Sequence, residues 1–225
     1  QTSNGIRNIS YTYDNNNNVI SKTIQGNNET LTWQYTWSND GRLLSSTSPN
    51  GLIKTYLYYD IDGSASSGLL KSITTNTGKT VTIDSYDTRG NATSITGIDG
   101  ITKTMTYDMR SRLLTETVNN ATNYYNYDLA GNLVLTTFAN GYQIKMTYDS
   151  SNRLYQIEDN MGGLETFTLD ATTGKALNTS IYQNSNLIKS LNQVLDNMGN
   201  TQKIYRSDIS KSYTISSRYK DGSIN

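Results

Sequence analysis

Neither cysteine nor histidine occurs among the 225 residues of this chain. Their absence removes disulfide staples, thiol nucleophiles, Cys/His zinc sites and any Ser-His-Asp triad. Proline occurs once, at Pro49, and phenylalanine and tryptophan twice each. Charge is sparse and balanced, with 19 basic against 19 acidic residues. A nucleic-acid binder needs a basic stripe to displace counterions, so that class is excluded. A polybasic membrane-surface protein is excluded on the same ground. No apolar run approaches the length of a transmembrane span, so this segment is not expected to insert into a membrane. Gln1 is followed by polar residues, not by the apolar core of a signal peptide.

What the chain does have is tyrosine, 18 of them, set among abundant Asn, Thr, Ser and Gly. High polarity without high charge is compatible with disorder. Against that stands a periodic pattern: Tyr, Thr, Ile and Leu recur in short alternating runs, the composition of half-buried strands.

The pattern is a repeat. Each unit is anchored on an aromatic-acidic step: Tyr13-Asp14, Trp37-Ser38, Tyr59-Asp60, Tyr86-Asp87, Tyr107-Asp108, Tyr127-Asp128, Tyr148-Asp149, then Leu169-Asp170, Leu195-Asp196 and a weak Tyr219-Lys220. Between Tyr86 and Leu169 the spacing is 21, 20, 21 and 21 residues. A longer interval after Tyr59 is explained by the insertion IDGSASSG at 61–68. Four positions after the anchor aromatic stand Asn17, Gly41, Gly63, Gly90, Ser111, Gly131, Asn152, Thr173 and Gly199. Gly and Asn accept a positive φ at low cost. Thr173 is followed by Gly174, so that turn is expected to be one residue longer. The Asp after the aromatic can accept backbone N–H groups two residues on. Together these predict a type I turn closed by a left-handed residue, as in a bulged hairpin.

The aromatic-acidic step then ends one strand, and Arg/Asn-Leu starts the next. A second turn in each unit, at Asn50-Gly51, Asp99-Gly100, Asn140-Gly141 and Gly162-Gly163, is expected to be a tight primed turn. In ITKTMTY (101–107) Ile101, Lys103, Met105 and Tyr107 alternate with Thr102, Thr104 and Thr106, which predicts one moderately apolar face and one wet face. NLIKSLNQVL (186–195) is read as a strand. The expectation is an all-β chain: an antiparallel hairpin-repeat strip of eighteen to twenty strands, about 21 residues per repeat, forming one region over 1–225 with weaker repeats at 170–225.

The motif Tyr-Asp-x-x-Gly-(Arg/Asn)-Leu with its following Asn-Gly turn resembles the YD repeat of Rhs proteins, a group that includes the C components of Tc toxins, wall-associated proteins and teneurins. The resemblance covers nearly the whole chain and is clearest from Trp37 to Gly163. It implies a curved or spiralling sheet, part of a shell around a polypeptide cargo, often a toxin, in a secreted or cell-surface bacterial protein delivered by a secretion system. The Asp-Pro motifs that end such shells, some of them autoproteolytic, have no counterpart here.

Single features point elsewhere and weigh less. The carboxylate pairs Asp60/Asp62, Asp84/Asp87 and Glu158/Asp159 could serve a glycosidase, but nearly every Asp occupies a turn position. DIDG (60–63) lacks the further ligands and terminal Glu of a calcium loop. Arg42, Arg112 and Arg153 recur at strand starts, where the guanidinium can reach the turn Asp. Five N-x-Ser/Thr sequons occur, at Asn8, Asn28, Asn91, Asn120 and Asn178. No catalytic residue, metal site or cofactor is expected. Expected partners are further YD repeats of the same or another chain and an enclosed toxin polypeptide. Carbohydrate bound by the tyrosines, and end-to-end assembly into a fibre, stay open as alternatives. Turn-forming roles fall to Tyr13, Asp14, Trp37, Gly41, Tyr59, Asp60, Tyr86, Asp87, Gly90, Tyr107, Asp108, Tyr127, Asp128, Gly131, Tyr148, Asp149, Asp170, Asp196 and Gly199. An open strip leaves strand edges unpaired at both ends, so this chain is expected to be a segment of a longer array.

Overall fold

A computed structural model describes residues 8–26, 29–196, 198–206 and 212–214. The anchor Tyr219-Lys220 and the sequon at Asn28 lie outside them. Among the described residues there are 19 strands and no helix. The chain falls into two compact units, divided between Asn120 and Ala121.

The first unit runs through Asn8–Tyr13 (β1), Val19–Gly26 (β2), Glu29–Trp37 (β3), Leu43–Thr47 (β4), Ile53–Tyr58 (β5), Leu70–Thr75 (β6), Thr80–Tyr86 (β7), Ala92–Thr96 (β8), Thr102–Tyr107 (β9) and Leu113–Val118 (β10). Within the unit, strands that follow one another in sequence pair antiparallel. The second unit comprises Ala121–Tyr127 (β11), Leu133–Thr137 (β12), Gln143–Tyr148 (β13), Leu154–Asp159 (β14), Gly163–Leu169 (β15), Ala176–Gln183 (β16), Asn186–Leu195 (β17), Thr201–Arg206 (β18) and Ser212–Thr214 (β19). It is the same antiparallel meander.

Register sorts the side chains of the first unit onto two faces, because directly opposed residues share a face. On one, hydroxyls meet in pairs: Thr36 with Ser45 at 2.7 Å, Thr74 with Thr80 at 3.0 Å, Thr96 with Thr102 at 2.9 Å and Thr106 with Thr115 at 2.7 Å. On the other, Ile73 opposes Val81, Ile83 opposes Ile95, and Lys22 opposes Trp33 with its ammonium 5.2 Å from the ring centre. The wet and the apolar face read from the Thr alternation are both there.

Neither face is covered. Among the described residues Ile83, 9% exposed, is the only buried hydrophobic side chain. Cohesion therefore comes from the backbone ladder, from half-buried cross-strand pairs and from the hairpin ends, not from a closed core.

Candidate functional site

The repeated feature of this molecule is its hairpin end. In each regular repeat the residue after the anchor aromatic donates its N–H to the carbonyl four residues on, and the residue three further on donates back. Asp108 N bonds Arg112 O at 2.9 Å and Ser111 N bonds Asp108 O at 3.1 Å; Asp149 N bonds Arg153 O at 2.9 Å and Asn152 N bonds Asp149 O at 3.0 Å. The closing residue has positive φ at Asn17, Gly41, Gly90, Ser111, Gly131, Asn152 and Gly199, and at Gly174 in the longer turn.

The Asp side chain ties the turn. Its Oδ1 accepts the N–H groups two and four residues on: Asn16 and Asn18 onto Asp14, Arg89 and Asn91 onto Asp87, Arg110 and Arg112 onto Asp108, Ser151 and Arg153 onto Asp149. Its Oδ2 accepts the side chain four residues on, either an Asn amide (Asn18, Asn91, Asn132) or an Arg Nε (Arg112 at 2.6 Å, Arg153 at 2.8 Å). Arg and Asn alternate at that position because both can present an N–H there.

Trp37-Ser38 is the exception that explains Arg42. With Ser38 in place of Asp, Arg42 turns to Asp40 at 2.7 Å, and its Nε is enclosed without a hydrogen-bond partner. Ser38→Asp combined with Asp40→Asn restores the arrangement of Arg112 and Arg153. It is expected to raise stability by up to about 1 kcal/mol, read by thermal denaturation.

The anchor aromatic stitches one repeat to the previous one. Trp37 Nε1 donates to Val19 O at 2.8 Å, Tyr58 to Leu43 O at 2.9 Å, Tyr86 to Leu70 O at 2.7 Å, Tyr107 to Ala92 O at 2.9 Å and Tyr148 to Leu133 O at 3.0 Å. Each acceptor is the residue at which the strand register slips by one. A bulge disrupts the ladder locally, and the aromatic donor of the next repeat supplies a bond at that point. The turns are also laced to one another: Asn91 Nδ2 reaches Ser111 Oγ at 3.0 Å, Asn132 Nδ2 reaches Asn152 Oδ1 at 3.1 Å, and Arg153 reaches Asp170 O at 3.1 Å. The sequon amides of Asn91 and Asn178 are engaged in such bonds.

Two expectations are corrected. The anchor of the third repeat is Tyr58, not Tyr59. Tyr58 ends β5 and makes the stitch, Tyr59 takes the place of the turn Asp, with its N–H on Leu69 O, and its hydroxyl reaches Ile83 O at 2.7 Å. The insertion shifts the turn by one residue; Gly68 N bonds Asp60 O, so Gly68 closes the loop and Gly63 lies inside it. Nor are the second turns at Gly51, Gly100 and Gly141 tight primed turns. Each is the same three-residue loop with a left-handed glycine: Gly51 N to Ser48 O, Gly100 N to Gly97 O, Gly141 N to Phe138 O. The Asn or Asp before the glycine accepts the N–H two residues on, as Asn140 does from Tyr142 at 3.0 Å and Asp99 from Ile101 at 3.0 Å. That local bond goes with a negative φ, leaving only the glycine left-handed. Two successive positive φ values, the mark of the tight primed turn, occur instead at Asn119-Asn120 and Asn184-Ser185.

One stitching residue carries no motif signal. Where Leu195 stands in place of the aromatic, Gln193 Nε2 bonds Ala176 O, again a residue at a register slip. A hydrogen-bonding side chain two residues before a non-aromatic anchor is the signal that would have found it.

The turn carboxylates are held in the charged form. Asp14, Asp87 and Asp128 lie below their ordinary value of 3.8 chiefly through the Asn amide four residues on, and Asp108 and Asp149 through the backbone N–H of Arg112 and Arg153. A carboxylate whose folded pKa is depressed stabilises the fold fully above its unfolded value and loses that contribution as pH falls through the folded value. Stability measured by denaturant titration should therefore be flat from neutral pH down to about 5 and fall below about 4. Replacing Asp87, Asp108 and Asp149 together with Asn should flatten the acid limb and lower the neutral plateau.

Geometrically, then, the molecule is a repeat protein of the hairpin-strip class, with turn clamps along its edges and half-exposed faces between them. Among the described residues no group of three or more metal-ligating side chains converges. No family model and no curated protein matches the chain. Solved structures do. The chain is similar to part of the TcdB2–TccC3 complex, with a TM-score of 0.58 and 16% identity over 89% of this chain and 13% of that one. The Photorhabdus luminescens Tc holotoxin pore gives a TM-score of 0.57 with 16% identity, over 89% of this chain and 12% of that one. TcdB2–TccC3 with Cdc42 gives 0.55 and 14%, over 92% and 14%. The chain thus spans about an eighth of the length of these chains, and what it shares with them is the fold.

Proposed function

We propose that this chain is a wall segment of a shell that encloses a polypeptide, within a larger secreted, toxin-like bacterial protein, and that its role is mechanical and not enzymatic. The observation that carries the reading is that, in each unit, the hairpin ends are laced together and the described residues on both faces of the sheet are left half exposed. Such a sheet can separate an interior from an exterior while offering each a continuous surface. Support comes from solved structures of similar fold, among them the TcdB2–TccC3 complex and the Photorhabdus luminescens Tc holotoxin pore. Asp87, Asp108 and Asp149 each accept backbone and side-chain donors at the hairpin ends, which supports a structural over an acid–base role for them. The anchor tyrosines spend their hydroxyls on carbonyls, which weakens the carbohydrate reading at those positions.

The test is the size and topology of the native polypeptide. An antibody to this segment should detect a chain several times longer than 225 residues. Limited proteolysis of that native protein should leave a second segment protected until the strip is unfolded. A native chain of this length, or equal digestion of all segments, would overturn the shell reading and favour edge-to-edge assembly, read by concentration-dependent light scattering.

A further inference from the structure

A groove of about 210 Å3 in the second unit lies over β14, β15 and β16. Three acidic residues line it; Glu158 follows Ile157 in β14 and so turns its carboxylate to the opposite face, and Asp159 is already satisfied. Glu158 is paired with Lys145 at 2.7 Å and accepts Gln156 Nε2 at 3.1 Å. Asp159 accepts the Tyr142 hydroxyl at 2.9 Å and the N–H groups of Met161 and Gly163 at 2.8 Å. Glu165 differs. It is half-buried, and its carboxylate makes no hydrogen bond or ion pair with any described residue. Register places it between Ile157 on one side and Ile181 on the other, so the three share a face. The nearest cation in that row, Lys189, stands opposite Ile181 on β17, a further strand away.

The Glu165 carboxylate thus has an isoleucine on each side and no partner of its own. We propose that this groove receives a lysine side chain of the enclosed polypeptide, its methylene stem lying along Ile157 and Ile181 and its ammonium donating to Glu165. Charge complementarity selects this occupant: a single unpaired anion on an apolar floor fits a cation on an apolar stem. A neutral apolar side chain would leave Glu165 buried and unpaired, and an anionic one would be repelled. That the lysine belongs to an enclosed polypeptide rests on the shell reading; that the groove binds a stem-borne ammonium does not.

The experiment uses the 225-residue chain with isotope-labelled isoleucine methyls and two capped pentapeptides, one with a central lysine and one with norleucine in its place. The lysine peptide should shift the Ile157 and Ile181 methyl signals saturably, and the norleucine peptide should not. Glu165→Gln should weaken the lysine peptide by about tenfold or more, the loss expected for a hydrogen bond to a charged group. Glu158→Gln, whose carboxylate is already paired, should bind as the wild type does. Each variant is checked for unchanged strand content by circular dichroism; if Glu165→Gln does not fold, the norleucine comparison and a loss of affinity with added salt decide the matter. Equal binding of both peptides, no saturable shift, or equal losses in Glu165→Gln and Glu158→Gln would each overturn the proposal. A native chain that encloses nothing would remove the polypeptide occupant and leave the peptide result standing, so the two failures are told apart.

Discussion

Gly131→Val is expected to destabilise the chain by about 1–2 kcal/mol, because it forces a β-branched residue into the left-handed region. Gly131 lies at φ 102°, and its N–H donates to Asp128 O at 3.1 Å, closing the turn between β11 and β12. For a chain of this size the loss corresponds to a fall in Tm of roughly 2–8 °C. Gly41→Ala isolates the backbone component. Gly41 lies at φ 80°, and a Cβ placed there meets nothing within 4 Å, so its cost of about 1 kcal/mol contains no clash. The pair separates torsional strain from side-chain bulk. Equal and negligible effects at both sites would mean that these loops adopt another turn in solution.

Those two glycines also show what the sequence makes legible. A Gly or Asn at a fixed distance from an aromatic-acidic step can be read directly, because positive φ is a property of the residue and not of its surroundings. Asn17, Gly90, Asn152 and Gly199, and the longer loop ending at Gly174, are of this kind. The Thr alternation in β9 was equally readable, since period two needs no knowledge of neighbours. What could not be read depended on which strand lies alongside. Tyr58 and Tyr59 are adjacent aromatics, and only the pairing of Tyr58 with Leu70 and its bond to Leu43 O decide which one stitches. Asn50-Gly51 has the sequence of a tight primed turn, yet the Asn side chain takes the N–H of Leu52 at 3.3 Å and the loop gains a residue. Glu165 carries no motif; its interest arises from the isoleucines that register brings to either side. Local torsional preference is written in the chain, whereas lateral contact emerges only when strands are paired.

Removing the stitching hydroxyls should have an effect of the same order and a more informative pattern. Tyr107→Phe and Tyr148→Phe each delete one oxygen, leaving Ala92 O and Leu133 O, which lie at register slips, without that donor. A hydrogen bond of this kind contributes about 1 kcal/mol, and more where the acceptor cannot reach water. Each substitution should therefore cost about 1–2 kcal/mol. Tyr124→Phe is the control, since Tyr124 is 49% exposed and its hydroxyl bonds no described residue; its cost should be near zero. Gln193→Leu should resemble the anchor tyrosines, because it removes the donor to Ala176 O as well as the acceptor for Thr201 Oγ1 at 3.0 Å. Tyr107 and Tyr148 stand in different repeats and share no partner, so their double mutant should show additive losses. Additivity is what a strip of independently stitched hairpins requires: each joint bears its own load, and the strip is lengthened by copying the joint. Losses confined to the tyrosines, with Gln193→Leu neutral, would place the stabilising effect in the ring's packing and remove the carbonyl stitch from the account of how these repeats are held together.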